Sequence, residues 1–340
     1  MLRTVTMCIL QTLGTRVHDS VIRRGSPRNP QGFTLVELLV ATSILILLIG
    51  LVFSVISQTS VIWSRSMDKI ESFKGARLAF ETITRNLSQA TLNTYLDYDN
   101  PANPQCYLRK SELKFLSDAA GSGVMPGTAN TGSAIFFQAP LGYTPNAAYG
   151  GIESLLNTCG YFVSFTANSN IPSHVASGKN PYRYRLMQLL VPAENNKIYS
   201  STDWFSSQSN TTLAKPIADN VIALIVRPQD PGAKPKDLPN SQYAYDSTLN
   251  ATGNPQPLTA NQLPPVVQIT MVAIDEASAK RMENGSTPPA VIVSALAGKF
   301  SDTTKYQSDL DALSLSLSTN HINFRIFSSS VPIKESKWTK

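Results

Sequence analysis

Apolar and polar positions follow three rhythms along this chain, and each rhythm predicts a different element. From Leu38 to Ile62 there are 25 residues without a charge, and no proline occurs between Gln31 and Asn100. As a helix this run rises about 37 Å, enough to cross the hydrocarbon core of a bilayer. A second rhythm follows. Phe73, Ala76, Phe80, Ile83, Leu87, Ala90 and Thr94 recur at steps of three and four, the mark of one buried helix face. Arg65, Asp68, Lys69, Glu71, Lys74, Arg77, Glu81 and Arg85 lie mostly on the other faces. Joined, the two patterns predict one helix of about 60 residues from Phe33 to near Tyr95, with a membrane-spanning half at 33–62 and an amphipathic half at 63–96. The segment DNPANP, Asp99–Pro104, ends it.

Beyond that point the period shortens to that of strands. Residues 134–139, 160–165, 182–191, 220–227, 265–274 and 323–329 are β-branched, aromatic or alternating, and each is predicted as a strand. Short helices are expected at 275–283 and at 305–317, where Leu310, Leu313 and Leu317 share a face. The stretches 117–133, 168–181 and 228–262 are rich in Pro, Gly, Asn and Ser and read as surface loops. The predicted fold class is α+β: a long N-terminal α-helix packed on an antiparallel β-sheet head that occupies 97–340.

Charge adds topology to this outline. The formal net charge is +6, but residues 1–32 hold five arginines against one acid, Asp19, a net of +4. The remaining 24 basic and 22 acidic residues leave only +2, so no nucleic-acid partner is expected of the head. The arginines precede the apolar run, which puts the N-terminus in the cytoplasm and everything after Trp63 on the other side, a periplasm-like space. The three cysteines, Cys8, Cys106 and Cys159, form no CxxC pair, and His18, His174 and His321 are scattered. No metal spacing and no cofactor fingerprint results. Cys106 and Cys159 either pair in an oxidising compartment or remain two reduced thiols; the sequence leaves both open.

One residue in the apolar run needs an explanation. Glu37 would cost roughly 2.5–3.5 kcal/mol at the centre of a membrane helix, and less near its start. A secretory signal peptide has a shorter apolar stretch and a small-residue cleavage site behind it, and a plain signal anchor has no use for the acid. Residues 32–37 read GFTLVE. This stretch resembles the processing site of type IV prepilins. By that resemblance a prepilin peptidase cuts between Gly32 and Phe33, releases the basic leader 1–32, and methylates the new amine of Phe33. Glu37, the fifth mature residue, would set subunit register by meeting the amine of a neighbour. The leader is long for the family, and a start at Met7 would shorten it.

Two further stretches narrow the resemblance. LPPVVQITMVAIDE, ending at Glu276, is similar to a strand of J-type minor pseudopilins of type II secretion. RYRLMQLLVPAE, IADNVIALIVRP and FRIFSSSVPIKESKW are similar to the protein C family of the Verru_Chthon cassette. What this implies is a single-pass protein of the bacterial inner membrane with its head in the periplasm, or carried in a cell-surface filament. Its partners would be the peptidase, membrane lipid and other pseudopilins or pilins of a pseudopilus or tip complex. The alternative is a minor pilin of a DNA-uptake or adhesion system with a ligand-binding head.

The search for catalysis turns up little. There is no nucleophile elbow, P-loop or dinucleotide fingerprint, and no enzyme is expected. Adjacent Asp275 and Glu276 are expected to start a helix rather than act as an acid–base pair. Asp97 and Asp99 are expected to cap a helix end, with Ca²⁺ binding as the alternative. YRYR at 182–185 is expected to be a solvated strand face.

Overall fold

The computed structural model describes residues 32, 34–119, 130–167, 181–199, 213–229 and 243–336. The chain divides into two compact units between Ile62 and Trp63. A single helix, α1 (Leu35–Leu87), begins in the first and ends in the second. In the first unit its apolar side chains are all exposed, Leu35 at 82% and Leu47 at 70%. Hydroxyls in this stretch turn inward on the helix itself. Thr42 and Ser43 donate to the Leu39 carbonyl at 3.0 and 2.7 Å, and Thr59 to that of Val55 at 2.8 Å. Such back-bonding is how a helix without water around it satisfies Ser and Thr.

In the second unit most of the predicted stripe is buried: Ala76, Phe80, Ile83, Leu87 and Ala90 form one side of the main core with Ala79 beside them, and Phe73 is half-buried. Thr94, expected on the same face, is exposed because the helix has ended before it. The helix ends at Leu87, not near Tyr95. Gln89 and Ala90 donate back three residues, to Asn86 and Leu87, and the Thr91 N–H then turns to the Gln138 carbonyl at 2.9 Å. A sheet contact thus takes over the backbone before the polar segment at 99–104 is reached, and the helical part of 63–96 is shorter than expected.

The strands in chain order are β1 (Tyr95–Tyr98), β2 (Tyr107–Lys110), β3 (Leu116–Ala119), β4 (Asn130–Pro140), β5 (Leu156–Thr166), β6 (Arg183–Val191), β7 (Ala214–Asp219), β8 (Val221–Pro228), β9 (Tyr245–Asp246), β10 (Val266–Ile274) and β11 (Phe324–Pro332). β1 and β2 form a separate hairpin; the rest make one sheet in the order β11-β10-β8-β4-β5-β6-β7, with β3 on β4 and β9 on β3. All six predicted strands are present. The ends of the expected 117–133 loop are strand instead, and β9 interrupts the expected 228–262 loop.

The sheet is not purely antiparallel. β4 pairs antiparallel with β3 and β5, but at Gly132 it forms a parallel bridge to Leu224 of β8, beside a register shift against β5. Gly132 has φ +83°, and a Cβ there would overlap the Leu224 carbonyl. Only glycine fits a positive φ with a backbone so close.

Period-two alternation sorts side chains onto the two faces. Ile135, Phe137, Tyr161 and Val163 join the α1 stripe; Ala134, Phe136, Phe162 and Leu189 form a second cluster on the opposite side. Towards the β11 edge the covering is double. Phe80 of α1 meets Phe327 at 5.8 Å. On the other face Tyr306 hydrogen-bonds Thr270 at 2.7 Å from helix α4 (Tyr306–Thr319). The remaining helices are α2 (Glu276–Arg281) and α3 (Ala290–Leu296). Helices were expected where α2 and α4 stand; α3 was not.

A polar joint ties α1 to the sheet. Asn86 Nδ2 and Gln188 Nε2 both donate to the Tyr161 hydroxyl, at 2.8 and 2.9 Å. Tyr161 is wholly buried and Asn86 nearly so.

Candidate functional site

The start of α1 is built by a cap. The Glu37 N–H donates to Thr34 Oγ1 at 3.2 Å, and the Leu38 N–H to the Thr34 carbonyl, also at 3.2 Å. Thr34 therefore serves as N-cap with Glu37 three residues on, the T-x-x-E arrangement that starts helices. The signal for it stands in the sequence itself, as T-x-x-E at residues 34–37. It gives the acid a second reason to be present: an anion in the first turn faces the positive end of the helix. Among the described residues the Glu37 carboxylate forms no ion pair, and Glu37 is exposed.

Gly32 is exposed, and a Cβ on it would meet nothing within 4 Å. Among the described residues nothing in the fold demands a small residue at 32. Phe33 lies outside the described residues. From Leu35 to Ser64 the helix has a mean hydropathy of 2.9 over its most apolar window, none of it buried. Its 30 residues rise about 45 Å, more than a bilayer core needs.

The head residues singled out by sequence have structural partners. Asp275 caps α2, accepting from the Ser278 N–H at 2.9 Å and from Asn323 Nδ2 at 2.8 Å, and Glu276 accepts from Asn220 Nδ2 at 2.7 Å. The pair starts a helix as expected. Asp97 and Asp99 do not cap one: they sit in the β1–β2 hairpin. Asp97 meets Lys110 Nζ at 2.6 Å, and Asp99 accepts from the Gln105 and Cys106 N–H groups at 2.9 and 3.3 Å. These bonds hold both carboxyls below their ordinary range. Among the described residues no group of three or more His, Cys, Asp or Glu is placed to hold a metal; His174 lies outside them.

The YRYR segment is not the solvated strand face that the sequence predicts. Arg183, Tyr184 and Arg185 are buried, because β6 runs between β5 and β7 and each arginine finds a distant carboxylate. Arg185 Nε meets Asp219 at 2.7 Å, and Arg183 Nη2 meets Glu283 at 2.9 Å. Cys106 and Cys159 are free thiols, so the disulfide left open by the sequence is absent. Cys106 lies by the hairpin, where Asn254 Nδ2 donates to its sulfur at 3.3 Å. Cys159 is enclosed in the main core, and burial pushes its thiol up to about 12.

Residues 27–53 match the prokaryotic N-terminal methylation motif. No curated protein and no solved structure matches the chain significantly. The matched stretch contains Gly32, the Thr34 cap, Glu37 and the first turns of the exposed apolar helix. The motif implies processing by a prepilin peptidase and assembly with other pilins. Together with the α+β architecture behind it, it marks a membrane-anchored, type IV pilin-like protein.

Proposed function

We propose that this chain is a minor pseudopilin of a type II secretion-like machine, cut between Gly32 and Phe33 and methylated at the Phe33 amine. The observation that carries the proposal is the capped start of α1: an exposed glycine, a Thr34–Glu37 cap, and an apolar helix left exposed among the described residues. Hydrolysis of the Gly32–Phe33 bond leaves a carboxylate on the departing leader and an amine on Phe33. A new cation then appears four residues before an acid that already helps start the helix. In a low-dielectric surrounding opposite charges attract strongly once both are there, and an amine from a neighbouring subunit meets Glu37 on assembly. The helix crosses the inner membrane once, with the leader in the cytoplasm and the head in the periplasm. The J-type and Verru_Chthon resemblances support the minor, non-enzymatic role: a head that contacts other subunits or cargo.

Intact-mass analysis of the membrane protein tests the processing. Loss of residues 1–32 with one added methyl group is expected, and an unprocessed N-terminus overturns the reading. Glu37→Gln keeps the size and one acceptor oxygen of the side chain while removing the charge. It is expected to be cut and methylated normally but to fail in crosslinking to neighbouring subunits. Normal crosslinking removes the register role. Salt-sensitive DNA binding by the full-length protein would instead favour a DNA-uptake pilin.

A further inference from the structure

The strand path β11-β10-β8-β4-β5-β6-β7 has two ends, and they are finished differently. At one, β7 carries Lys215 and Pro216, and its register against β6 shifts between Leu186 and Met187. A lysine, a proline and an irregular register are devices that keep an edge from pairing further. At the other, β11 pairs with β10 from Val266↔Pro332 to Ile274↔Phe324 without a shift, and its one proline is the last residue. The bonds flanking this ladder fix which backbone groups of β11 it uses. The Ile333 N–H donates to the Pro265 carbonyl and the Asp275 N–H to the Asn323 carbonyl, each at 3.0 Å. Both pairs continue the ladder's register, and hydrogen-bonded pairs alternate along an antiparallel ladder. The odd-numbered residues of β11 therefore direct their N–H and C=O groups at β10. Phe324, Ile326, Ser328 and Ser330 turn theirs outward, where among the described residues no bond reaches them. Ser328 and Ser330 are exposed, so the outward row is open.

The side chains beside this row define what an added strand must carry. Ser328 hydrogen-bonds Thr270 on the face covered by Tyr306, and Phe327 meets Phe80 of α1. Phe324, Ile326 and Phe327 are only half-buried, and β-branched residues across from them would complete that burial. Arg325 is exposed, lies over the Phe327 ring at 6.0 Å, and makes no ion pair among the described residues. A carboxylate directly opposite answers that charge, and a lysine there is repelled. A second copy of β11, FRIFSSSVP, holds no acid, so self-pairing leaves Arg325 unanswered in any register.

We propose that the open edge of β11 takes up an extended segment of a partner protein as one more antiparallel strand, with an acid opposite Arg325 and β-branched residues beside it. This goes beyond the processing of residues 1–32 and stands whether or not they are removed. The probe is acetyl-Thr-Thr-Thr-Val-Val-Glu-Val-amide, whose glutamate falls opposite Arg325 when its first residue falls opposite Ser330. It is made in two forms. N-methylation of its fourth and sixth residues blocks only the side facing away from β11. N-methylation of its third and fifth removes the donors aimed at the Ser328 and Ile326 carbonyls. The full-length protein in detergent is followed by amide hydrogen exchange. Without peptide, Ile326 and Ser328 should exchange faster than Phe327 and Ser329. The first form, at about ten times its dissociation constant, should slow Ile326 and Ser328 about tenfold, and the second form should not. Replacing the glutamate by lysine should weaken binding about two- to fivefold, and Arg325→Glu should reverse that preference with circular dichroism unchanged. Equal action of the two forms, no protection by the first at its solubility limit, or a preference that ignores Arg325→Glu overturns the proposal. So does protection of Ile326 and Ser328 in the free protein that dilution relieves, which would make the occupant a second copy of this chain.

Discussion

Tyr161→Phe tests the polar joint between α1 and the sheet. The substitution removes one oxygen and leaves the ring, which packs 6.4 Å from Phe137 between centroids. Two donors then lose their acceptor. Asn86 Nδ2 is buried and has nowhere to turn, at a cost of about 1–3 kcal/mol. Gln188 is only half-buried and can partly reach water, so its loss is nearer the net value of an ordinary hydrogen bond, about 1 kcal/mol. The sum is about 2–4 kcal/mol, less any relaxation. For a unit of this size, at about 2 °C per kcal/mol, that lowers the melting temperature by roughly 4–8 °C, read by near-UV dichroism of the full chain in detergent. Adding Asn86→Leu to Tyr161→Phe removes a stranded donor as well as its acceptor. The double variant should therefore lose less than the two single losses together. A Tyr161→Phe melting temperature within about 1 °C of the parent's refutes the reasoning, since the two amides would then have found other partners and the joint would carry no net stability.

Three other perturbations follow from the same structure. Gly132→Ala should destabilise the head by about 1–3 kcal/mol from backbone strain alone, and further from overlap with the Leu224 carbonyl; an unchanged melting temperature would contradict the bridge geometry. Iodoacetamide at pH 8 should label Cys106 but not Cys159 in the native mature protein, and both after unfolding. Desolvation, reinforced by the charge of Asp99, raises the Cys106 thiol. Labelling should therefore be slower than for a free thiol and speed up as pH rises through its titration; mass spectrometry reads both sites. Gly32→Arg should leave the folded head unaltered by circular dichroism while abolishing removal of residues 1–32 on a denaturing gel. Normal processing would show that the peptidase does not require a small residue there.

The parts legible in the sequence are those whose neighbours lie a few residues away. The stripe from Phe73 through Ala90 could be read because helical spacing places those side chains on one face whatever they pack against. The six long strands could be read because β-branched and aromatic runs are buried in a multi-stranded sheet in almost any topology. β1, β2 and β7 could not: YLDY is almost wholly exposed, YLRK mixes exposed with buried positions, and AKPIAD holds Pro216. α3, AVIVSAL, is short and β-branched, a composition that suits strand as readily as helix. The end of α1 depended on Gln138, nearly fifty residues on, and the burial of Arg183 on Glu283, a hundred residues on. At the N-terminal site Gly32 and Glu37 were legible because a motif of adjacent residues carries them, and Thr34 could have been by the same rule.

The course of α1 has a mechanical consequence. The helix whose first turn carries the prepilin-type segment ends by supplying Ala76, Phe80, Ile83 and Leu87 to the core of the head. A load on α1 within the head would therefore act on that buried stripe, with the Asn86–Tyr161 bond as a latch at its far end. The strength of that packing, more than of any tether, would set the load at which the helix parts from the sheet.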